Sequence, residues 1–394
     1  MARVLVTEEI AGAGLAKLRD AGHQVDVAVG LGSAELLAAI PGAAALIIRS
    51  ATRVTAEVLE AGDDLVVVGR AGIGLDNVDV AAATRRGVMV VNAPQSNVLS
   101  AAEHTMALLL AQARNVPQAH AALVAGRWER SRWEGVELHG KTLGVVGLGR
   151  VGALVAQRAA AFGMRLVAYD PYVSAEKAKQ MGAELVSLDD LMAQADFVTI
   201  HLPKTAETVG LIGTDVLAKA KRGLRLVNTA RGGIVDEKAL AQAVQDGVVA
   251  GAALDVFESE PATGSPLFEL DRVVVTPHLG ASTREAQDKA GVTIAEQVQL
   301  ALAGEFVPLA VNIAAEVPEA VRPWMPVAER LGRFWAALAR ELPAVLDVEY
   351  QGGLADHDTR ILTLAALKGL FAVATDEPVS YVNAHQLADE RGLT

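Results

Sequence analysis

The stretch from Thr142 to Gly152 constrains the fold of this chain more than any other. An apolar run over residues 142–146 ends in the pattern Gly147-x-Gly149-x-x-Gly152, and a helical pattern follows to Phe162. Strand, tight glycine turn and helix are therefore expected here. Gly147 permits the turn, Gly149 lets backbone N–H groups approach a pyrophosphate, and Gly152 lets the helix pack close to its strand. Since the positive end of the helix then faces the phosphates, the stretch predicts a dinucleotide site.

A second apolar run adds the expected ribose contact. It covers Leu166 to Tyr169 and ends at Asp170, which stands where such sites place the acidic residue that binds the ribose hydroxyls. The Asp170 carboxylate would repel a 2′-phosphate. The expected cofactor is therefore NAD rather than NADP.

Strand and helix patterns alternate on both sides of this stretch. Before it, strand patterns cover residues 3–6, 24–29, 44–49, 65–69 and 88–91, separated by helix patterns that include 14–21, 33–40 and 55–61. After it, strand patterns recur at 166–169, 197–201, 224–228, 250–256 and 273–276. This alternation predicts βαβ units and parallel sheets, with ligands at the carboxyl ends of the strands.

Two capping patterns are expected at helix starts. Ser33 is expected to cap the helix over 33–40. The long helix over 100–114 is expected to begin with a capping box made by Ser100 and Glu103. A further amphipathic helix over 282–303 would return the chain to the first sheet.

Composition excludes several classes of protein. The 394 residues include no cysteine, which excludes disulfides, thiolate metal sites and a cysteine nucleophile, and no metal site is expected. The net charge of −12 argues against nucleic acid as a partner. No apolar run approaches the ~20 residues of a membrane span, and the first residues read as a strand rather than a signal peptide. The cytoplasm is the expected compartment.

Past Asn312 the character of the sequence changes. Prolines punctuate short helix patterns, and residues 345–351 and 379–382 read as strands beside helices over 359–374 and 384–391. This region predicts the opening of a further α+β domain.

Three polar positions follow strands of the second sheet and point to chemistry. They are Arg231, Glu260 and His278. Hydride transfer from an alcohol carbon needs a base for the hydroxyl proton and a donor that polarises the carbonyl. His278 suits the base, Glu260 could hold its other ring nitrogen, and Arg231 could bind a carboxylate bidentately. Taken singly, His278 also fits a surface histidine, Glu260 a loop charge and Arg231 an ion pair.

In combination, the motifs resemble those of the D-isomer-specific 2-hydroxyacid dehydrogenases. The matching stretches are Arg49–Thr52, Gly69–Asp79, Gly147–Gly152, Asn228–Glu237, Ala252–Phe257 and Thr276–Thr283. The resemblance covers residues 1 to about 310. It implies two Rossmann-like, doubly wound parallel-sheet domains around a cleft, followed by the partial α+β domain.

The resemblance also implies roles for individual residues. It makes Arg231, Glu260 and His278 catalytic. The implied NAD contacts are Gly147, Gly149, Arg150, Val151, Gly152, Asp170, Leu202, Thr229, Ala230, Asp255, Gly280 and Ala281. The implied substrate contacts are Arg49, Ser50, Arg70, Gly72, Gly74 and Asn97.

Domain boundaries and assembly follow from the same resemblance. A discontinuous, flavodoxin-like substrate domain is expected at 1–97 and 280–310, an NAD-binding domain at 98–279, and part of an intervening domain at 313–394. The C-terminal regulatory domain of longer relatives is expected to be absent, and with it feedback by serine. A homodimer through the cofactor domain is expected, or a tetramer.

The expected substrate is a phosphorylated 2-hydroxy acid, 3-phospho-D-glycerate, which carries a carboxylate and a remote phosphate. Arg231 and the N–H groups of Gly72 and Gly74 would bind the carboxylate. The phosphate would be bound by Arg49 and Arg70, with Arg130 or Arg132 of a neighbouring subunit. Two alternatives stay open: a dehydrogenase of glycerate, lactate or glyoxylate, and an NAD-sensing corepressor-like interaction module.

Overall fold

A computed structural model of the chain describes residues 1–313, 317–339, 342–375 and 379–394. The chain divides into two units: Met1–Ser96 with Gln287–Thr394, and Asn97–Ala286. The domain boundaries expected from the sequence stay a prediction.

The first unit opens with a parallel sheet built from βαβ units. Its elements are β1 (Arg3–Val6), α1 (Gly12–Asp20), β2 (Gln24–Val27), α2 (Ser33–Ala39), β3 (Ala45–Ile48), α3 (Ala56–Ala61), β4 (Val67–Arg70), α4 (Val80–Arg85) and β5 (Met89–Asn92). The strand order is β2-β1-β3-β4-β5 and every pairing is parallel, which is the flavodoxin-like order. Because β3 is apolar and wholly buried in the middle of this sheet, the polar residues that follow it emerge at the carboxyl edge.

The second unit contains a larger parallel sheet. Its elements are α5 (Val98–Ala113), α6 (Val116–Val124), β6 (Thr142–Val146), α7 (Arg150–Ala161), β7 (Arg165–Tyr169), α8 (Ala175–Gln180), β8 (Ala183–Leu185), α9 (Leu188–Gln194), β9 (Phe197–Ile200), α10 (Thr214–Leu217), β10 (Leu224–Asn228), α11 (Glu237–Gln245), β11 (Val249–Leu254), a 3-10 helix at Pro266–Glu269 and β12 (Val273–Val275).

The strand order of this sheet places a ligand crevice at the glycine turn. The order is β12-β11-β10-β9-β6-β7-β8. It reverses at β6, which pairs with β7 on one side and β9 on the other. A doubly wound sheet binds ligands outside the carboxyl end of its strands at this reversal. Gly147 follows β6 directly, so the predicted dinucleotide turn lies at that point.

The last part of the chain is helical in the residues described. It contains α12 (Arg284–Leu302), a 3-10 helix at Arg322–Trp324, α13 (Met325–Leu338), a 3-10 helix at Gly352–Asp356, α14 (Arg360–Ala374) and α15 (Ala384–Glu390). Helices α13 and α14 approach each other closely at two glycines. A Cβ at Gly332 would overlap the carbonyl oxygen of Ala366, and a Cβ at Gly369 would overlap the carbonyl oxygen of Glu329. No helix in the described segments is long and apolar enough to cross a bilayer.

The predicted α/β class with two parallel sheets is confirmed, but the strands expected at 345–351 and 379–382 do not form. Near the first segment, Leu346 N donates to Thr394 O at 2.9 Å, and Thr394 N donates to Ala344 O at 3.0 Å. These two backbone hydrogen bonds do not continue into a strand ladder. In the second segment, Ser380 N donates to Asn383 Oδ1 at 2.9 Å, which folds the backbone into a turn before α15.

Both predicted helix caps are wrong, since the N-cap positions are Gly32 and Asn97 rather than Ser33 and Ser100. Helix α2 begins at Ser33 itself, and Gly32 N donates to Glu35 Oε2 at 2.8 Å at its start. Helix α5 begins at Val98, with Ala101 N bonded to Asn97 O at 2.9 Å. Ser100 therefore lies inside the helix, where its hydroxyl meets Thr283 Oγ1 at 2.8 Å.

Candidate active site

The turn after β6 has the geometry of a pyrophosphate cradle. Gly147 adopts a φ of +95°, a conformation that favours glycine. A Cβ at Gly152 would overlap the carbonyl oxygen of Gly147, so only glycine lets α7 start this close to the strand. A Cβ at Gly149 would meet no protein atom within 4 Å. The first N–H groups of α7 thus open onto a recess beside Gly149, which suits an anion at a helix N-terminus.

Asp170 lies at the end of β7 beside this turn. Its Oδ2 accepts from Leu148 N at 2.8 Å and its Oδ1 accepts from Tyr172 N at 2.9 Å. These bonds fix the carboxylate and leave further acceptor positions, because a carboxylate has about four. The residues present therefore fit the ribose hydroxyls of a dinucleotide. Leu202 packs on the same turn, as its Cδ2 would lie 3.0 Å from a Cβ at Gly147.

His278 and Glu260 form a hydrogen-bonded pair at the carboxyl edge of the second sheet. His278 Nδ1 lies 2.6 Å from Glu260 Oε2, and Glu260 Oε1 accepts from Phe257 N at 3.0 Å. The His278 side chain is 44% exposed. Its Nε2 makes no hydrogen bond within the described part of the chain, so this nitrogen is presented outward.

The electrostatics of the pair keep the carboxylate charged. Burial raises the pKa of Glu260, but the hydrogen bonds from His278 and from the Phe257 N–H outweigh burial and lower it. Glu260 is thus ionised at neutral pH. An imidazolium formed at His278 would have its counter-charge in place.

Asp255 holds the backbone on which His278 stands. His278 has a φ of +54°, in the left-handed region, and its N–H donates to Asp255 O at 2.9 Å. The fully buried Asp255 carboxylate accepts from Leu279 N at 2.7 Å and Gly280 N at 2.8 Å. An unfavourable φ persists where surrounding bonds determine it. Asp255, expected as a cofactor contact, thus also shapes the turn that carries His278.

Helix α5 supports the loops that carry the predicted catalytic residues, and sequence reasoning missed it. Besides Ser100, this helix carries His104, whose Nε2 lies 3.1 Å from Thr276 Oγ1 and 3.2 Å from Asp255 Oδ1. It also carries Thr105, whose hydroxyl lies 2.6 Å from Thr229 Oγ1. Positions 100 and 104 lie on one side of a helix because they are four apart, and position 105 lies roughly a quarter turn further round the axis. Polar residues in this largely apolar helix were the available signal.

Arg231 follows β10 in a turn folded by Asn228. Asn228 Oδ1 accepts from Ala230 N at 3.1 Å, and its Nδ2 donates to Arg231 O at 3.0 Å. Arg231 Nη1 donates to Ala230 O at 2.7 Å. A Cβ at Gly232 would overlap the carbonyl oxygen of Phe257. This close approach brings the Arg231 turn against the segment that carries Glu260.

Predicted substrate residues of the first unit lie in the loops after β3 and β4. Arg49 and Ser50 follow β3. Arg70 ends β4, and its guanidinium folds over Gly72, where a Cβ would overlap Arg70 Nη1. Gly74 lies two residues further along the same loop.

The remaining predicted substrate residues belong to the second unit. Asn97 stands at the start of α5. Arg130 is exposed in the irregular segment after α6. Arg132 is paired with Asp271 at 2.6 Å and lies 4.9 Å from the centre of the Trp133 ring. The structure gives Arg132 a local role in holding this segment.

Comparisons with known proteins agree with this geometry. The family model "D-isomer specific 2-hydroxyacid dehydrogenase, NAD binding domain" matches residues 106–280. The D-3-phosphoglycerate dehydrogenase of Mycobacterium leprae is 57% identical over 394 residues, which cover 99% of this chain and 74% of that protein. The chain belongs to the D-isomer-specific 2-hydroxyacid dehydrogenases. It is an NAD-dependent dehydrogenase, as the sequence predicts.

Further matches concern the end of the chain and its fold. The model "D-3-phosphoglycerate dehydrogenase intervening domain" matches residues 320–394. A crystal structure from Thermus thermophilus has a TM-score of 0.73 and 39% identity, covering 78% of this chain and 99% of that one. The NAD-dependent formate dehydrogenase of Staphylococcus aureus, solved with NAD, has a TM-score of 0.70 and 33% identity, covering 78% of this chain and 97% of that one.

His201, directly after β9, is expected to make the stability of this dehydrogenase depend on pH. Burial lowers the pKa of His201 from 6.5 to about 3. The unfolded chain therefore takes up a proton near pH 6.5 that the folded chain does not bind until about pH 3. This contribution to stability is complete above pH 6.5 and is lost as pH falls, by at most about 1.4 kcal/mol per pH unit.

Urea unfolding of the wild type and of His201→Gln between pH 7 and pH 5 measures this contribution. The free energy of unfolding should fall more steeply for the wild type, and the two curves should converge as the pH is lowered. Parallel curves would contradict the assignment.

Proposed function

We propose that this enzyme oxidises 3-phospho-D-glycerate to 3-phosphooxypyruvate with NAD, the first step of phosphorylated serine synthesis. Two arginines at neighbouring strand ends carry the choice of substrate. Ile48 of β3 pairs with Arg70 of β4, and Arg49 directly follows Ile48, so both arginines stand at the carboxyl edge of one sheet. Two arginines at one sheet edge suit a dianionic phosphate. The D-3-phosphoglycerate dehydrogenase names of the relatives support the same substrate.

The proton of the substrate hydroxyl is taken by His278. Nδ1 is held by Glu260, so Nε2 is the nitrogen that acts as general base. The charge of Glu260 stabilises the imidazolium that results. NAD, when bound, supplies the acceptor for the hydride.

Arg231 binds the substrate carboxylate and polarises the carbonyl that develops beside it. Its planar guanidinium offers two parallel N–H donors to a carboxylate. The turn made by Asn228 fixes its backbone, so little ordering is needed when substrate binds. Charge on the product oxygen is stabilised by Arg231 and by the protonated His278 together.

The assignments of binding residues belong to the same proposal. Those for NAD are Gly147, Gly149, Arg150, Val151, Gly152, Asp170, Leu202, Thr229, Ala230, Asp255, Gly280 and Ala281. Those for substrate are Arg49, Ser50, Arg70, Gly72, Gly74 and Asn97, with Arg130 or Arg132 contributed by a neighbouring subunit. We also propose the substrate domain at 1–97 with 280–310, the NAD-binding domain at 98–279 and the intervening domain at 313–394.

A homodimer through the NAD-binding domain is part of the proposal. Large apolar side chains are exposed on and after α6: Val116 at 53%, Leu123 at 56%, Val124 at 75% and Trp128 at 81%. Exposed apolar groups that cluster along the chain suit a protein interface. The proposed compartment is the cytoplasm, which agrees with the absence of cysteine.

Replacing Arg49 with alanine is expected to raise the KM for 3-phosphoglycerate about 10- to 100-fold, the scale of a lost charge-assisted bond. The turnover number should change little, because the proposed partner of Arg49 is the phosphate rather than the reacting carbon. Steady-state kinetics with NAD and 3-phosphoglycerate, repeated with D-glycerate, measure the effect. D-glycerate lacks the phosphate, so its KM should not change.

Arg53→Ala is the matched control, since Arg53 is an exposed arginine a few residues along the same loop. It should leave both substrates unaffected. Equal loss with D-glycerate and 3-phosphoglycerate in Arg49→Ala would refute the phosphate role. A wild type that reduces NAD with D-glycerate but not with 3-phosphoglycerate would refute the substrate.

A further inference from the structure

The loop after β3, residues 49–52, is held by a carboxylate from another strand end. Glu8 follows β1, two residues beyond Val6, and is only partly exposed. Its Oε1 accepts from Arg49 N at 2.7 Å and from Thr52 N at 2.9 Å. Its Oε2 accepts from Ala51 N at 3.1 Å. One carboxylate thus binds three backbone N–H groups of the loop.

The carbonyl side of the same loop is held by Asn77. Asn77 Nδ2 donates to Arg49 O at 2.8 Å and to Thr52 O at 2.6 Å. The Thr52 hydroxyl lies 2.8 Å from the Thr7 hydroxyl in a buried position. Side chains from two other loops therefore fix residues 49–52 on both sides.

Ser50 takes no part in the hydrogen bonds that hold the 49–52 loop. Successive backbone N–H groups in a tight loop form a concave anion site, and here the chain's own carboxylate fills it. Ser50 is exposed, and in the described residues neither its N–H nor its hydroxyl makes a hydrogen bond. Ser50, next to Arg49 in the chain, is therefore the loop residue whose donors stay available to a ligand.

We propose that Glu8 is a positioning residue that fixes the 49–52 loop so that Ser50 and Arg49 meet the phosphate of the substrate. This inference rests on the proposed function for its substrate. Glu8 does not touch the substrate in this view; it acts through the loop backbone.

Two effects of Glu8 on phosphate binding have opposite signs. Burial raises the pKa of Glu8, but the N–H groups of Thr52, Ala51 and Arg49 outweigh it and lower the pKa. The group is therefore charged at neutral pH, and a negative charge near the phosphate opposes binding. Loss of the carboxylate relaxes the loop and weakens binding. Because its charge is already bound by three donors, we expect the positioning effect to dominate.

Glu8→Gln tests this directly. Its side chain keeps one acceptor oxygen and turns an amide donor toward a backbone N–H, so at least one loop bond is lost. The KM for 3-phosphoglycerate should rise about tenfold, while the turnover number, the KM for NAD and the kinetics with D-glycerate stay within about twofold. Glu9→Gln is the matched control, because Glu9 is the exposed neighbour whose carboxylate makes no bond to the loop. An unchanged or lower KM for 3-phosphoglycerate in Glu8→Gln overturns the proposal.

Amide hydrogen exchange separates this inference from the proposed function. The N–H groups of Arg49, Ala51 and Thr52 should exchange at least about tenfold faster in Glu8→Gln than in the wild type and Glu9→Gln. Unchanged exchange overturns the inference, whatever the substrate. Asn77→Ala, which removes the two bonds on the opposite side, should show the same rise in KM and the same selectivity if Glu8→Gln does not fold. Failure of the wild type to turn over 3-phosphoglycerate, with fast exchange in Glu8→Gln, would refute the substrate alone.

Discussion

Replacing His278 with glutamine lowers the turnover number with 3-phosphoglycerate by about 100-fold or more, which is the scale of a lost general base. Glutamine can still bond to Glu260, so the turn should keep its shape. It cannot take up a proton at neutral pH. Steady-state kinetics at saturating NAD and substrate measure the loss, and the KM for NAD should stay near the wild-type value.

His385→Gln is the control for the histidine change. His385 lies on α15 with a side chain 71% exposed, and its replacement should leave the turnover number unchanged. The turnover number of Glu260→Gln should lie between those of His278→Gln and His385→Gln, because this variant keeps a hydrogen bond to His278 Nδ1 but removes the counter-charge of the imidazolium. A turnover number of His278→Gln within a few-fold of the wild-type value would contradict the assignment of His278 as the general base.

Gly149→Ala is expected to weaken NAD binding about 100-fold with little loss of thermal stability. Its Cβ meets no protein atom within 4 Å, so the fold should tolerate it. The same Cβ points into the recess where the helix N-terminus would bind the pyrophosphate. Titration with NAD followed by calorimetry, with thermal unfolding of each variant, measures both quantities.

Two further glycine variants make this result specific. Gly152→Ala should lose both NAD binding and stability, since its Cβ would overlap the carbonyl oxygen of Gly147. Gly12→Ala, whose Cβ also meets nothing within 4 Å, should lose neither. NAD affinity of Gly149→Ala equal to that of the wild type would show that the cofactor binds elsewhere.

The parts of this protein that the sequence reveals are those whose constraints are local. Gly147, Gly149 and Gly152 lie within six residues, and each is explained by the turn they build. Asp170 stands directly after β7 and Arg231 three residues after the end of β10, and parallel strands end at a common edge of the sheet. For this reason the parallel sheets and the glycine turn after β6 could be predicted, whereas the catalytic roles of Arg231, Glu260 and His278 stay a prediction.

The residues that hold these parts in place could not be predicted in the same way. Glu8 lies 44 positions from Thr52 and Asp255 lies 24 from Leu279. A lone acidic residue after a strand has many possible partners, and only the folded sheet selects one. The predicted start of α5 was wrong for a related reason. Ser100 has a side chain suited to an N-cap, but its hydroxyl is hydrogen-bonded to the distant Thr283 hydroxyl.

The polar side chains of α5 have a consequence for how this enzyme can change over time. One helix supports the turn of Thr229 and Ala230 and also the segment from Thr276 to Thr283. A substitution that rotates or shifts α5 therefore perturbs the turn that precedes Arg231 and the turn of His278 in one event. Mutations in the two loops are expected to show epistasis through α5, so that a change tolerated in one background becomes harmful in another. Laboratory evolution toward new 2-hydroxy acids should then proceed through paired changes in helix and loop.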